Sequence, residues 1–214
     1  MRLYYNTLNI RKHMKYLMSV LLILFVIFTL QQKSTGKIMF TPQDTILAFG
    51  DSITYGYGVD TSQSYPAVLA SLLNHKVINA GVNGDTSKDG LLRLPHLLED
   101  TSIKLILLCF GGNDILQQHS LSSLKENLTT MIQMAKKQNI YIILIAVPNL
   151  SVFGLSPLEL YQDIAREENI PLLNDTLTDI LSNPHYKIDQ IHPNASGYKI
   201  MGESIYNKIK EMTF

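Results

Sequence analysis

Short apolar segments alternate with amphipathic segments through most of this chain, and the alternation limits the folds open to it. The clearest apolar segment covers residues 104–110 and stops at a pair of glycines. Four further segments have the length and composition of buried strands, at residues 45–49, 76–79, 140–147 and 171–173. Between these segments, apolar residues recur at helical spacing, as in Leu121, Leu124 and Leu128.

Strands that alternate with helices predict right-handed βαβ units and therefore a parallel sheet. The predicted helices cover residues 63–74, 91–98, 121–135, 158–168, 174–181 and 198–212. We therefore expect an α/β fold in which helices cover both faces of the sheet. The length of 214 residues suits about one domain of ordinary size.

The first 43 residues differ in composition from the rest of the chain. Residues 16–30 hold only Ser19 and Thr29 as polar side chains, and Arg11, Lys12 and Lys15 stand just before them. A basic segment followed by an apolar one is typical of a secretory signal or a short uncleaved anchor. A buried core helix is the alternative, but this segment is apolar on all sides. Residues 31–43 are polar and predict a linker.

Basic residues ahead of an apolar segment predict that the N-terminus stays inside the cell. Residues 44–214, the predicted folded domain, are then exported to the periplasm or the exterior. The fifteen residues 16–30 span about 22 Å as a helix, which is short for a hydrocarbon core of about 30 Å. No small-x-small cleavage site follows, so both a cleaved signal and an uncleaved anchor stay open. Translation could start at either Met1 or Met14.

Charge and cysteine content exclude several classes of protein. The chain has 18 basic and 18 acidic residues, and all acidic residues lie from Asp44 onward. This balance leaves no basic surface for nucleic acid. A single cysteine, Cys109, excludes an internal disulfide and a cysteine-based metal cluster. No residues have metal-ligand spacing, so we expect no metal site.

Ligands of parallel sheets bind beyond the carboxyl ends of the strands, so the loops that follow the strands should hold the site. Ser52 follows the first strand, where a serine that opens a turn exposes its hydroxyl beside backbone N–H groups. The second loop contains Gly81 and Gly84, which tolerate positive φ and let N–H groups point into the cleft. Each loop alone is equally compatible with a turn or a helix cap.

Two further motifs add an amide and an imidazole. Asn113 follows the central strand, where its side chain can donate to a developing oxyanion. Asp189 precedes His192 by three residues, a spacing that lets the carboxylate hold Nδ1–H and leaves Nε2 facing the serine. Asp51 and Asp114 are expected to hold their loops by accepting hydrogen bonds from backbone N–H groups.

Together these motifs resemble the SGNH (GDSL) hydrolase family over residues 44–210. Gly50-Asp-Ser-Ile-Thr54, Asn83-Gly-Asp-Thr-Ser87 and Gly90-Leu-Leu-Arg-Leu-Pro95 are most similar to the bacterial thioesterase/lysophospholipase/arylesterase subgroup. The resemblance implies a three-layer α/β/α fold around a five-stranded parallel sheet of flavodoxin-like order. It also implies a serine esterase that needs no cofactor and acts on small acyl esters, thioesters or lysolipids.

Carried over by position, the resemblance implies a role for each motif residue. Ser52 is the nucleophile, His192 the general base, and Asp189 the residue that orients it. The backbone N–H groups of Ser52 and Gly84 and the side chain of Asn113 form the oxyanion hole. Residues from Pro148 onward, which help to line the acyl pocket in relatives, are expected to be ordinary loop here.

Two alternatives stay open at this point. An acyltransferase on the same fold passes the acyl group to another hydroxyl instead of water. A non-catalytic flavodoxin-like module uses glycine-rich loops to hold an anion or a flavin phosphate, and it gives Asp189 and His192 no role. The sequence leaves the acyl length, the leaving group and the oligomeric state undecided.

Overall fold

The computed structural model describes residues 14, 17–19, 38–151 and 154–213. Most of the predicted signal or anchor at residues 16–30 lies outside these described residues. Within them, no helix is both long enough and apolar enough to cross a membrane. The folded unit considered below is Met39–Phe214.

Five parallel strands form the main sheet, as the alternation predicts. The strands in chain order are β1 (Thr45–Gly50), β2 (Lys76–Gly81), β3 (Ile103–Cys109), β4 (Tyr141–Ile145), β5 (Pro148–Ser151), β6 (Gly154–Pro157) and β7 (Leu172–Leu173). The sheet order is β2-β1-β3-β4-β7. Gly50 pairs with both Gly81 and Cys109, so the carboxyl ends of the first three strands lie level. The loops that follow them therefore start from one edge.

Eight α-helices are present among the described residues from 38 onward. They are α1 (Ser52–Tyr55), α2 (Tyr65–Leu73), α3 (Ser87–Leu97), α4 (Gly112–Leu116), α5 (Leu121–Lys137), α6 (Glu159–Glu167), α7 (Thr176–Ser182) and α8 (Ala195–Thr213). Helix α8 packs against α2 and α7, while α5 packs against α3 and α6. These two helix groups and the sheet make the three-layer α/β/α fold.

The central strands are buried on both faces, which explains their continuous apolar sequences. Successive strand residues point to opposite faces, yet Ile46, Leu47, Ala48 and Phe49 are all fully buried. Helices therefore cover both sides of β1. Strand β2 lies at the edge and is only partly buried. Its exposed position accommodates Lys76, a residue that suits an unpaired edge.

The segment from Pro148 onward is not the ordinary loop that the sequence predicts. Strands β5 and β6 pair as an antiparallel two-stranded hairpin, with Pro148 opposite Pro157 and Leu150 opposite Leu155. Prolines are tolerated at this outermost pair because a strand end needs no ladder N–H. At the other end of the hairpin, Gly154 adopts φ +112°, a conformation that glycine takes without strain. Four residues a strand are too few for a clear alternation signal.

Helix α3 begins four residues before the start predicted from its apolar periodicity. Its first turn is polar, but a capping box stabilises it. Thr86 Oγ1 accepts a hydrogen bond from the Asp89 N–H at 3.3 Å, and Asp89 Oδ2 accepts one from the Thr86 N–H at 3.0 Å. Capping thus extends the helix toward the loop that holds Gly84.

Candidate active site

The turn after β1 places Ser52 at the first position of α1. Asp51 caps this helix, since its Oδ1 accepts a hydrogen bond from the Ile53 N–H at 3.0 Å. The turn requires glycine at position 50, because a Cβ there would lie 2.2 Å from Thr54 Oγ1 and 2.4 Å from the Cys109 carbonyl. The first N–H groups of a helix have no partner within it. The half-buried Ser52 hydroxyl therefore lies beside backbone donors.

Ser52, His192 and Asp189 form a chain of hydrogen bonds. Ser52 Oγ lies 3.0 Å from His192 Nε2, and His192 Nδ1 lies 2.8 Å from Asp189 Oδ2. The other carboxylate oxygen of Asp189 accepts the backbone N–H groups of Ile191 and His192, both at 2.8 Å. One carboxylate thus fixes both the ring and the backbone of His192. The pair lies on the loop before α8.

The environment of Asp189 favours its charged form. Partial burial opposes ionisation, but the hydrogen bonds from the His192 ring and from two backbone N–H groups outweigh it. Together they hold the pKa of Asp189 below its usual value. The side chain of Asp189 is 46% exposed, whereas that of His192 is only 12% exposed. The carboxylate is therefore available as a permanent negative charge behind the ring.

Asn113 lies in the first turn of α4, directly after β3, and Gly84 lies on the loop after β2. Asn113 Nδ2 donates a hydrogen bond of 2.8 Å to the Asp85 carbonyl, which leaves its second amide hydrogen for another acceptor. Gly84 is exposed and adopts φ +85°, and a Cβ at this position would meet nothing within 4 Å. The Asn113 bond therefore ties the first turn of α4 to the loop that holds Gly84.

A cavity joins three of the predicted site residues. Ser52, Asn113 and His192 line it, whereas Asp189 lies behind His192 and Gly84 is outside the lining. The rest of the wall consists of Asp51, Gly112 and seven apolar residues, which are Ile53, Ile115, Leu116, Val147, Pro148, Leu181 and Ile191. Such a wall suits a hydrocarbon group placed next to the Ser52 hydroxyl. Among the described residues, no cluster of histidine, cysteine or carboxylate side chains is arranged to bind a metal.

Comparison with known proteins identifies the family. Residues 48–200 match the model of the GDSL-like Lipase/Acylhydrolase family. The chain belongs to this family. It is therefore a serine hydrolase of ester bonds, and the resemblance drawn from the sequence motifs is confirmed.

Relatives of this GDSL hydrolase agree in sequence and in fold. A protein of Escherichia coli (strain K12), named Thioesterase 1/protease 1/lysophospholipase L1, is 30% identical over 79% of this chain and 85% of its own length. The crystal structure of TesA superposes with a TM-score of 0.71 at 29% identity, covering 79% of this chain and 99% of that one. The structure of the psychrotrophic esterase EstA from Pseudoalteromonas sp., inhibited by monoethylphosphonate, superposes with a TM-score of 0.70 at 25% identity, covering 78% of this chain and 97% of that one.

A buried polar network in this GDSL hydrolase connects α4 to α3. Asp114 Oδ2 accepts the Ser87 N–H at 2.8 Å, and Asp114 Oδ1 accepts the Ser87 hydroxyl at 2.6 Å. Asn127 Nδ2 then donates to the same hydroxyl oxygen at 2.9 Å. The expectation that Asp51 and Asp114 hold backbone N–H groups is confirmed. Sequence reasoning did not find that Asp114 reaches Ser87, the first residue of α3.

Asp51 is an acid held next to the Ser52 hydroxyl in a buried position. Burial, the largest cause, raises its pKa to about 7, although the hydrogen bond from the Ile53 N–H opposes the rise. The carboxylates of Asp114 and Asp85 raise the pKa further by repulsion. Asp51 therefore keeps its proton to a higher pH than an exposed aspartate does.

Tyr57 is a site residue that sequence reasoning missed. Its ring lies against the His192 ring, with centroids 4.4 Å apart. Gly56 and Gly58 on either side of it adopt φ +90° and +80°. The Gly-Tyr-Gly sequence was the available signal, because glycines on both sides of a residue permit the positive φ angles of a tight turn.

Proposed function

We propose that this GDSL hydrolase cleaves carboxylic esters or thioesters that carry an apolar acyl group, through an acyl-enzyme on Ser52. The observation that carries the proposal is the 3.0 Å contact between Ser52 Oγ and His192 Nε2. This geometry suits proton transfer from the hydroxyl to the imidazole as the oxygen attacks a carbonyl carbon. A flavodoxin-like binding module gives this contact no function.

In the first half-reaction, Ser52 Oγ bonds to the carbonyl carbon and its proton passes to His192 Nε2. The carbonyl oxygen becomes an oxyanion, which the N–H groups of Ser52 and Gly84 and the amide of Asn113 stabilise. Asp189 stabilises the imidazolium through its 2.8 Å bond to Nδ1. His192 then protonates the leaving oxygen or sulfur as its bond to the carbonyl carbon breaks.

In the second half-reaction, His192 Nε2 takes a proton from water, and the hydroxide oxygen attacks the acyl carbon. Collapse of this intermediate releases the carboxylic acid, and His192 returns a proton to Ser52 Oγ. Every proton and bond is accounted for by the three side chains, the ester and water. No cofactor enters the cycle.

The apolar cavity wall supports an acyl chain as the bound part of the substrate. Ile115, Leu116 and Leu181 contribute hydrocarbon surface to the lining of the cavity. The E. coli relative carries the names thioesterase and lysophospholipase. We therefore propose lysolipids, acyl thioesters and small aryl esters as the substrates to test.

We also propose that the folded domain acts outside the cytoplasmic membrane. The support is the sequence alone, in which basic residues precede the apolar residues 16–30. Cell fractionation with N-terminal sequencing tests this proposal. A soluble form that begins between residues 31 and 44 indicates a cleaved signal, a membrane-bound intact form indicates an anchor, and an intact cytosolic form contradicts export.

The catalytic assignment is tested with a fluorophosphonate probe and a panel of esters. We expect one labelled residue, Ser52, and loss of both labelling and hydrolysis in Ser52→Ala. Ser122→Ala, which removes an exposed hydroxyl on α5, is the matched control and should keep both. Hydrolysis retained by a folded Ser52→Ala protein would overturn the assignment. Products formed in the presence of an acceptor alcohol separate hydrolysis from acyl transfer.

A further inference from the structure

Arg93, on α3, connects three segments around the site. Its Nε donates to Asp85 Oδ2 at 2.7 Å. Its Nη2 donates to the Gly50 carbonyl at 3.4 Å, and both Nη atoms lie 3.3 Å from the Ala80 carbonyl. One guanidinium therefore contacts the end of β1, the end of β2 and the loop between β2 and α3.

Each of these contacts lies next to a group that the proposed mechanism uses. Gly50 is two residues before Ser52, and Asp85 directly follows Gly84. The Ser52 and Gly84 N–H groups are the two proposed backbone donors to the oxyanion. Arg93 thus spans the backbone between them.

The same loop residue is held from the other side by the third proposed donor. Asn113 Nδ2 donates to the Asp85 carbonyl at 2.8 Å, while Arg93 holds the Asp85 side chain. Asp85 is consequently fixed at both its backbone and its carboxylate. The end of β1, the loop after β2 and the first turn of α4 are all connected through Asp85 and Arg93.

The guanidinium suits this position because of its shape. Five N–H donors in a rigid plane satisfy one carboxylate and two carbonyls without rearrangement. Its Cζ lies 4.9 Å from the centroid of the Phe49 ring, which restricts the plane further. The Arg93 side chain is 29% exposed and that of Asp85 14% exposed, so solvent screens this ion pair only in part. A lysine at this position has no equivalent fork.

We propose that Arg93 is a positioning residue for the oxyanion hole: it fixes the Gly84–Asp85 loop relative to the Ser52 turn. This inference rests on the proposed function, because it assigns the Ser52 and Gly84 N–H groups as donors. Oxyanion stabilisation depends on donors that are aligned before the reaction, and a displacement of about 1 Å costs about 100-fold. Loss of Arg93 should therefore reduce kcat and leave KM nearly unchanged.

A purely structural clamp makes a different prediction. It lowers the melting temperature, yet the molecules that remain folded keep their kcat. Coupling between residues also separates the two cases, since residues that act through one loop have non-additive effects on catalysis.

The test uses Arg93→Met, Arg93→Lys, Asp85→Ala and the double variant Arg93→Met/Asp85→Ala, assayed below their melting temperatures. We expect kcat to fall about 10- to 100-fold in Arg93→Met, with KM within threefold. The kcat of Arg93→Lys should fall by less. The kcat of the double variant should fall by no more than that of the more impaired single variant. Arg166→Met is the control, because Arg166 is 75% exposed and pairs only with Asp163 on the same helix at 2.6 Å in the described contacts.

Fluorophosphonate labelling rates supply a second readout, because the adduct on Ser52 also places an oxygen among the same donors. Labelling should slow in parallel with kcat. A kcat within twofold of the wild type in folded Arg93→Met and Asp85→Ala, or additive losses in the double variant, overturns the inference. If Arg93→Met does not fold, Asp85→Ala decides. Hydrolysis retained in Ser52→Ala indicates instead that the proposed function itself is wrong.

Discussion

The Tyr57 ring lies against the imidazole of His192, with ring centroids 4.4 Å apart and planes inclined by 34°. Its backbone is anchored to the nucleophile turn, since the Tyr57 N–H donates to the Ser52 carbonyl at 3.0 Å. The Tyr198 hydroxyl donates to the Tyr57 carbonyl at 3.3 Å. The turn that presents Ser52 thus also covers one side of the proposed base.

This contact predicts a modest catalytic effect of Tyr57. The proposed mechanism makes His192 a cation transiently, and an aromatic face stabilises a nearby cation by about 0.5–1 kcal/mol at an exposed site. We expect Tyr57→Ala to lower kcat about two- to fivefold and Tyr57→Phe to retain it. Tyr55→Ala, which removes a neighbouring exposed tyrosine, is the control. A larger loss in Tyr57→Phe than in Tyr57→Ala would contradict a role for the ring.

Asn113 should have a much larger effect than Tyr57. Removal of one preorganised oxyanion donor costs about 10²–10³ in kcat, and Asn113→Ala is expected to fall in this range. The substitution also removes the hydrogen bond to the Asp85 carbonyl, so steady-state kinetics and thermal unfolding should be measured on the same sample. A loss below threefold in a folded variant would indicate that Asn113 serves only as a turn residue.

The sheet was predictable because its central strands are buried on both faces. Continuous apolar residues such as Ile142, Ile143 and Leu144 are required there and are visible without any partner. The hairpin from Pro148 was not predictable, since its strands are short and carry no such pattern. Its second strand, β6, packs against α7, a contact that the local sequence does not indicate.

The site divides in the same way. The Asp189–His192 spacing and the position of Ser52 after a strand are local signals, and both were readable from the sequence. The contacts of Arg93 with Gly50 and Ala80 join residues 43 and 13 positions apart, and nothing in the local sequence indicates them. Tyr57 lies between these cases, because its flanking glycines show a turn but not what the turn covers.

We expect catalysis to require both the negative charge of Asp189 and its geometry as a hydrogen-bond acceptor. Asp189→Asn keeps the shape but no longer stabilises an imidazolium, and it permits the wrong tautomer of His192. We expect kcat to fall by at least about 100-fold. Asp163→Asn, on the exposed face of α6, is the control. Full activity of Asp189→Asn on the same ester would show that His192 needs no carboxylate.

The raised pKa of Asp51 predicts how the free energy of unfolding changes with pH. The pKa of Asp51 is raised from 3.8 to about 7 by burial, so the unfolded chain releases this proton near pH 4 and the folded protein keeps it until about pH 7. The stability gained from the protonated form is thus complete below pH 3.8 and is lost as the pH rises to about 7. A shift of this size corresponds to about 4 kcal/mol in the free energy of unfolding.

Asp51→Asn isolates this contribution, because an amide oxygen still accepts the Ile53 N–H but carries no titrating charge. Urea unfolding at several pH values between 4 and 8 measures it. We expect the free energy of unfolding of the wild type to decline with pH relative to that of Asp51→Asn, with the difference constant above about pH 7. Asp60→Asn, at an exposed position, should follow the wild type. Parallel curves for the wild type and Asp51→Asn would mean that Asp51 is already ionised in the folded protein at pH 4, and that its neighbours compensate for its burial.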